Sequence, residues 1–390
     1  MRLLFVTTGL GTGGAERMLV KLLRAVASRG CDCSVVSLLD SGTQGLPIRE
    51  LSVPVHELHV NRFAGLLAAI WRLQRISRSF KPDVIQGWMY HGNLAACCAW
   101  LGARRQPRLF WSVRQTFKGM KYEKPMTRLV VRVCVALSRF PTHIVFNSQK
   151  SREQHEALGF CPARGLVIPN GFDLCLFRPN RKARTKTRER LGIPSEAPVV
   201  GMVARDHPMK DHTTFLNAAA RVRQQRPSTV FVLAGPGVDG TNTRIRAIIK
   251  QLGLDSSVRL IGEKGDTDSL YPAFDVLALS SAWGEAFPNV IGEAMACGIP
   301  CVATDLGDTR EIIGNTGCVV SPSNPGELAA KLLTVLSIEK DNEISLGDRA
   351  RQRVEELYSL DKIADGYLSV WAASLSLENG NSNHDLKTKE

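Results

Sequence analysis

The stretch MRLLFVTTGLGTGGAERML, Met1–Leu19, decides how the rest of the chain is read. An apolar run leads straight into Gly9, Gly11, Gly13 and Gly14, and a helical pattern follows. Strand, glycine-rich turn and helix, in that order, form the opening unit of an α/β sheet, and such a turn suits a phosphorylated ligand. Gly9, Gly11 and Gly14 also satisfy the dinucleotide pattern G-x-G-x-x-G, and Asp40 closes the next strand where a ribose hydroxyl would be held. The overlapping glycines fit several templates, however. A tight turn needing positive φ and close backbone approach accounts for them without any ligand. On this stretch alone, NAD or FAD, another phosphorylated ligand and a purely structural turn all stay open.

Outward from the turn, the alternation continues. Candidate strands are RLLFVTT (Arg2–Thr8), CSVVSLL (Cys33–Leu39), VHELHV (Val55–Val60), DVIQGWM (Asp83–Met89), RLFWSV (Arg108–Val113), HIVFNS (His143–Ser148) and GLVIPNG (Gly165–Gly171). Helical patterns such as Ala15–Ser28, Phe63–Ser79 and Lys124–Leu137 lie between them, the signature of parallel sheets covered by helices. The charged, proline-bearing FRPNRKARTKTRERLGIPSEAP (Phe177–Pro198) reads as a basic surface linker with at most one helical turn near Glu189. Strand patterns then restart at PVVGMVAR, TVFVLAGPG, SVRLIGE, DVLALSS, PCVATD and GCVVSP. The expected architecture is α/β, with two Rossmann-like parallel-sheet domains at 1–178 and 198–357 joined by the linker 179–197. A helix at 358–377 is expected to pack back toward the first domain, and the polar tail 378–390 is expected to be disordered.

A chain of 390 residues, 44% hydrophobic and 22% charged, is an ordinary globular composition with material for two cores. Its net charge of +13 points to anionic partners. The ten cysteines form no C-x-x-C pair or Cys/His cluster, which argues against structural zinc. Met-Arg leading directly into a strand predicts no signal peptide, and apolar runs such as LAACCAWLGA are too short to span a bilayer. A reduced, cytoplasmic protein is the expectation.

The chemistry concentrates in SSAWGEAFPNVIGEAMACGIPCVATD, Ser280–Asp305. Glu285 lies in a loop after a strand, and Glu293 lies one turn into a helix starting near Pro288. Eight positions that combine loop and helix bring both carboxylates to one cleft, with the N–H groups of Asn289 and Val290 between them. Ionised acids accept hydrogen bonds from adjacent hydroxyls, and a helix N-terminus holds phosphate, so the segment has the layout of a nucleotide sugar. Arg205 ends the strand PVVGMVAR and Lys210 follows five residues later; such a pair clamps a pyrophosphate and stabilises a nucleoside-diphosphate leaving group.

At these residues the chain resembles the retaining glycosyltransferases of family 4, which have the two-domain GT-B fold. The resemblance rests on GTGGAER, the R-x4-K pair and EAFPNVIGEAMACGIPCVATD, and runs from Leu3 to about Tyr367. It implies that Glu293 binds the donor ribose and Glu285 the donor sugar, with Phe287, Pro288, Asn289 and Val290 near sugar and phosphate. Arg205 and Lys210 would neutralise the diphosphate. Gly13 and Gly14, followed by Glu16, would approach the donor phosphates across an interdomain cleft. The resemblance also implies no metal, no cofactor, and retention by front-face attack with the leaving phosphate as base. Two departures stand out. Ala286 replaces a usual glycine, and where relatives carry a histidine near the donor sugar after the fifth strand this chain has Arg114 and Gln115, with His91 one unit earlier, so Arg114 or His91 is the catalytic candidate for that sugar-side role. Asp266–Asp268 imitates a metal-binding D-x-D, but Asp268 reads as the N-cap of a short helix.

The positive charge gathers in the first half. Between Arg104 and Arg132 stand Arg104, Arg105, Arg108, Arg114, Lys118, Lys121, Lys124, Arg128 and Arg132 against Glu123 alone. Upstream, Phe63, Leu66, Leu67, Ile70 and Trp71 oppose Arg72, Arg75, Arg78 and Lys81 in an amphipathic pattern that suits either a sheet-packing helix or an anionic membrane surface. No nucleic-acid motif is present, so a nucleic-acid partner is not expected. The resulting expectation is transfer from a nucleotide-sugar donor, UDP-sugar favoured, to a lipid-linked saccharide acceptor of bacterial surface polysaccharide, at the inner face of the plasma membrane. A transferase making a soluble disaccharide or glucan, and a non-catalytic nucleotide-sugar-binding protein, are the alternatives.

Overall fold

The computed structural model describes residues 1–60, 65–117, 119–265, 267–338 and 345–381, with side chains as far as 376. It divides into two units, Met1–Gly171 with Leu360–Glu390, and Phe172–Ser359.

In the first unit the strands are β1 (Arg2–Thr7), β2 (Asp32–Ser37), β3 (Val55–Glu57), β4 (Val84–Trp88), β5 (Arg108–Val113), β6 (His143–Phe146) and β7 (Gly165–Val167). They form one parallel sheet in the order β3-β2-β1-β4-β5-β6-β7. Its helices are α1 (Gly14–Ala27), α2 (Gly45–Glu50), α3 (Leu66–Phe80), α4 (Met89–Leu101), α5 (Pro125–Leu137) and α6 (Gln149–Ala157). Because successive strand residues face opposite ways, Leu3 and Phe5 enter the core under α1 while Leu4 and Val6 enter the core under α3, α4 and α5.

The second unit opens with α7 (Arg181–Arg190) and has strands β8 (Val199–Val203), β9 (Val230–Ala234), β10 (Val258–Leu260), β11 (Val276–Leu279), β12 (Cys301–Thr304) and β13 (Cys318–Val320). The sheet order is β10-β9-β8-β11-β12-β13, again parallel. Around it lie α8 (His212–Gln225), α9 (Thr243–Gln251), α10 (Thr267–Leu270), α11 (Asn289–Ala296), α12 (Thr309–Ile313), α13 (Pro325–Ile338) and α14 (Leu346–Tyr358). Strand order reverses between β1 and β4 in one sheet and between β8 and β11 in the other. Open α/β sheets bind ligands beyond the carboxyl ends of strands at such points.

The last helix, α15 (Leu360–Asn381), belongs to the first unit. Trp371 is fully buried, meets Phe5 edge-on at 6.0 Å, and donates its indole N–H to Gln86 Oε1 at 3.3 Å. Arg29, just past the end of α1, pairs with Asp361 at 2.7 Å and Asp365 at 3.1 Å. The tail beyond 381 lies outside the described residues.

Three local expectations are corrected. The stretch taken as a surface linker contains the ten-residue helix α7, capped by Asn180 accepting from the Ala183 N–H at 3.0 Å. Its Arg184 and Arg188 converge on Asp275 at 2.5 and 2.8 Å, and Arg188 is only 4% exposed, with further bonds to the carbonyls of Ala273, Ser195 and Ala197. A dense run of cations is solvated unless acceptors are waiting elsewhere in the fold, and here they are. α10 starts at Thr267, which puts Asp268 inside its first turn rather than at its cap; Asp266 lies outside the described residues. On α3, Leu66 and Ile70 line a cavity open to solvent on one side while Leu67 and Trp71 face outward, 81% and 60% exposed, so the expected single apolar stripe is split; Phe63 lies outside the described residues.

Candidate functional site

At the switch point of the second sheet, two loops are stitched together. One leaves β8 through Arg205 and a short 3-10 turn, Pro208–Lys210, before α8. His207 caps that turn, its Nδ1 accepting from the Met209 N–H at 3.2 Å, and Asp211 caps α8 from a left-handed conformation (φ 47°), accepting from the Thr214 N–H at 3.0 Å. The other loop leaves β11 at Ser280. The Ser280 hydroxyl lies 3.0 Å from the carbonyls of both Lys210 and Asp211, and the Ala282 N–H donates to the Met209 carbonyl at 2.8 Å. Gly284 turns at φ 80°, a conformation that favours glycine, and a Cβ there would stand 2.6 Å from Met209 Sδ, the end of a side chain that can shift.

These contacts bring Lys210 against Glu285. The ammonium pairs with Oε1, to which the Ser281 hydroxyl also donates at 2.6 Å, and both side chains are largely buried. Thr304 of β12 in turn donates to the Ser281 carbonyl at 2.8 Å. Arg205 is exposed and makes no ion pair among the described residues, because the neighbouring acid is already engaged. Although burial opposes it, hydrogen bonds from Asn242 and Arg244 hold the Asp206 carboxyl below its ordinary range. Gly235 lets the β9 loop pass close; a Cβ there would meet the Ala204 carbonyl at 2.2 Å.

After Glu285 the chain is anchored and then enters α11. The Phe287 ring is buried, stacked on Phe172 at 6.2 Å and edge-on to Tyr358 at 5.5 Å. The Ala286 carbonyl accepts from the Asp308 N–H at 2.9 Å, and Gly307 (φ 57°) packs directly on the backbone of Glu285 and Ala286. Ala286 itself has no positive φ, so the methyl where relatives carry glycine costs no backbone strain. Pro288 precedes α11 with no side-chain cap, and Asn289 and Val290, both partly exposed, form its first turn. Glu293 lies one turn further and accepts from the Tyr271 hydroxyl at 2.9 Å. Burial, and then the neighbouring carboxylate, raise the Tyr271 phenol well above its ordinary value, so it stays a donor.

The first sheet repeats the plan at its own switch point. β1 runs into exposed Gly11–Gly14, and Gly13 is the extended N-cap of α1. None of Gly9, Gly11, Gly13 or Gly14 has positive φ, which corrects the expectation of a turn requiring it. Gly13 is special for another reason: a Cβ there would stand 2.2 Å from Glu16 Oε2, so Glu16 folds back over the turn. Asp40 accepts from the Gly42 N–H at 3.1 Å as a turn residue. His91, on the first turn of α4 beyond β4, is exposed on one side and lines a cavity on the other. Arg114 is placed differently from its expected role. It is buried over the Trp88 ring at 4.1 Å, donates to Tyr367 of α15 at 2.6 Å, and bonds to Asn170.

Sequence reasoning overlooked Ser280, Ser281, Tyr271 and Gly284. The serine pair at the carboxyl end of a strand was the readable signal; Tyr271 had none, since its partner is set by packing. Among the described residues no group of three His, Cys, Asp or Glu is placed to hold a metal.

Two parallel α/β units, each with an anion-suited turn at its switch point, define the two-sheet GT-B class. The chain belongs to the group 1 glycosyltransferases: residues 183–353 match the model for glycosyl transferases group 1, and residues 12–175 the model for Glycosyltransferase Family 4. A D-inositol 3-phosphate glycosyltransferase of Salinispora arenicola is 31% identical over 230 residues, 55% of this chain and 51% of that protein. The chain thus spans about half the length of the curated relatives it matches. Among solved structures, Anabaena HepE in complex with UDP is similar with a TM-score of 0.84 at 22% identity, covering 96% of this chain and 100% of that one. The same protein in complex with UDP-glucose has a TM-score of 0.80 at 22% identity, covering 96% and 99%.

Proposed function

We propose that the protein transfers a sugar, with retention, from a UDP-sugar to a lipid-linked saccharide of a bacterial surface polysaccharide. The observation that carries this reading is the convergence of Lys210, Glu285 and the start of α11, which has no side-chain cap, at one switch point, with Arg205 on the same loop in no ion pair among the described residues. An entering diphosphate competes with Glu285 for Lys210, takes up Arg205, and releases the carboxylate to accept sugar hydroxyls. Glu293, held by Tyr271, accepts from the ribose. In the reaction the bond from the anomeric carbon to the diphosphate breaks, the bond to the acceptor oxygen forms, and the acceptor proton passes to a diphosphate oxygen. The departing charge is met by Arg205, Lys210 and the α11 dipole, which is where preorganised electrostatics contribute most to such a step.

The UDP and UDP-glucose complexes of HepE support the choice of donor. The acceptor reading is supported by the cationic helices of the first unit, and no helix among the described residues is long and apolar enough to cross a membrane, which fits attachment at a surface. UDP-glucose turnover and thermal shift with UDP, in wild type and Glu293→Ala, test the proposal. Saturable UDP stabilisation that Glu293→Ala weakens is expected. Equal stabilisation of both proteins would refute the site.

A further inference from the structure

Between the amino-terminal halves of α3, α4 and α5 the first unit contains a cavity of about 500 Å³, within the range of small-molecule sites. Ile70 and Leu73 of α3, Leu94 of α4, and Met126 and Val130 of α5 form its walls. Apart from His91 and the thiol of Cys98, every lining side chain is hydrocarbon or thioether. A sugar or nucleotide placed there would leave its hydroxyls unpaired, so the walls select a hydrocarbon. The surrounding charge selects the rest of the ligand. α3, α4 and α5 contain no Asp or Glu, while Arg72, Arg75, Arg78, Arg128 and Arg132 stand on α3 and α5. Outward-facing Leu67 and Trp71 on α3, and Leu129 on α5, extend the apolar surface past the cavity.

We propose that this cavity takes the hydrocarbon chain of a phosphate-bearing lipid, whose anionic head stays at the opening in the positive field of α3 and α5, which bear five arginines and no acid. The inference rests on the reading of the acceptor as lipid-linked, and assigns its chain a place inside the first unit rather than in a bilayer beneath it. His91 then belongs to the lipid site.

Titration calorimetry with inorganic phosphate, hexyl phosphate and decyl phosphate, below micelle-forming concentrations, tests it. Each buried methylene strengthens binding about fourfold, so decyl phosphate is expected to bind at least tenfold tighter than hexyl phosphate, and inorganic phosphate far more weakly than either. Ala95→Trp, which fills the cavity, is expected to lose at least tenfold in decyl phosphate affinity. Should that variant fail to fold, wild type still decides: decyl phosphate is expected to protect Cys98 from N-ethylmaleimide, read by peptide mass. Equal binding of the two chains, or Cys98 left unprotected, overturns the proposal. So does binding of anionic vesicles that a folded Ala95→Trp leaves unchanged, because that is adsorption by the outer surface. UDP binding by the second unit is read separately: its loss with alkyl phosphate still bound refutes the donor site alone, and the converse refutes the cavity alone.

Discussion

Lys210 and Glu285 neutralise each other in a largely buried setting, and in the proposed reaction an entering diphosphate separates them. A lysine whose charge is needed as the leaving group departs contributes mainly to kcat. Lys210→Ala is therefore expected to lower kcat for UDP-sugar turnover by about 100-fold to 1,000-fold, the usual size for one preorganised electrostatic contact. A loss confined to KM would mean that it only binds. In the proposed site Tyr271 acts through Glu293 as a positioning residue. Tyr271→Phe should raise the donor KM several-fold with kcat within about twofold, since one neutral donor to a carboxylate is removed; an unchanged KM would leave the hydroxyl a packing detail. Gly284→Ala is expected to weaken UDP stabilisation in thermal shift, because its φ of 80° is a conformation L-residues avoid at a cost of about 1–2 kcal/mol; an unchanged shift would show that the turn tolerates a side chain. Glu285 and Lys210 stood out by residue type and spacing, but their pairing with each other did not. The setting of Arg114 was not readable, because nothing local shows that Asn170 and Tyr367 come to it across 56 and 253 positions.

Elements tell a similar story about charge. α7 carries six basic side chains in ten residues, yet what fixes it is the fit of two of them to Asp275. Removing Arg188 leaves that carboxylate and three carbonyls short of a donor. Arg188→Ala should destabilise the second unit by about 3 kcal/mol, measured as a lower urea midpoint. A change under about 1 kcal/mol would show that Arg184 suffices. The strands, by contrast, were legible in number and place, though several expected ends run three or four residues past the observed ones, because a buried parallel strand is a short apolar run between turn signals and needs no distant partner to be seen. The N-terminal turn was legible as an element but not in its conformation: its glycines are exposed and extended, and Glu16 rather than backbone geometry marks Gly13.

At the scale of the whole molecule, both units contain a histidine kept neutral by its surroundings. Burial pushes His155 down to about 4, against the opposing Ser151 carbonyl, and its ring lies 2.6 Å from the Tyr90 hydroxyl. Burial likewise pushes His212 down to about 4. The unfolded chain protonates these rings near pH 6.5, the folded one only near pH 4, so stability is full above pH 6.5 and falls as pH drops toward 4. The complete loss is about 3 kcal/mol for each histidine. Urea midpoints that stay level between pH 7 and 5 would contradict the buried, neutral state. The sequence by itself determined the parallel α/β alternation in both halves, the glycine turn, and the two motifs that supply carboxylates and cations, because periodicity and short spacing are local properties. Only the tertiary structure decided that Lys210 meets Glu285 across 75 positions, that Arg114 and Arg188 are interior, and that an apolar cavity opens beside His91. Those outcomes depend on where crossover connections set strands side by side, and no short window of sequence contains that information.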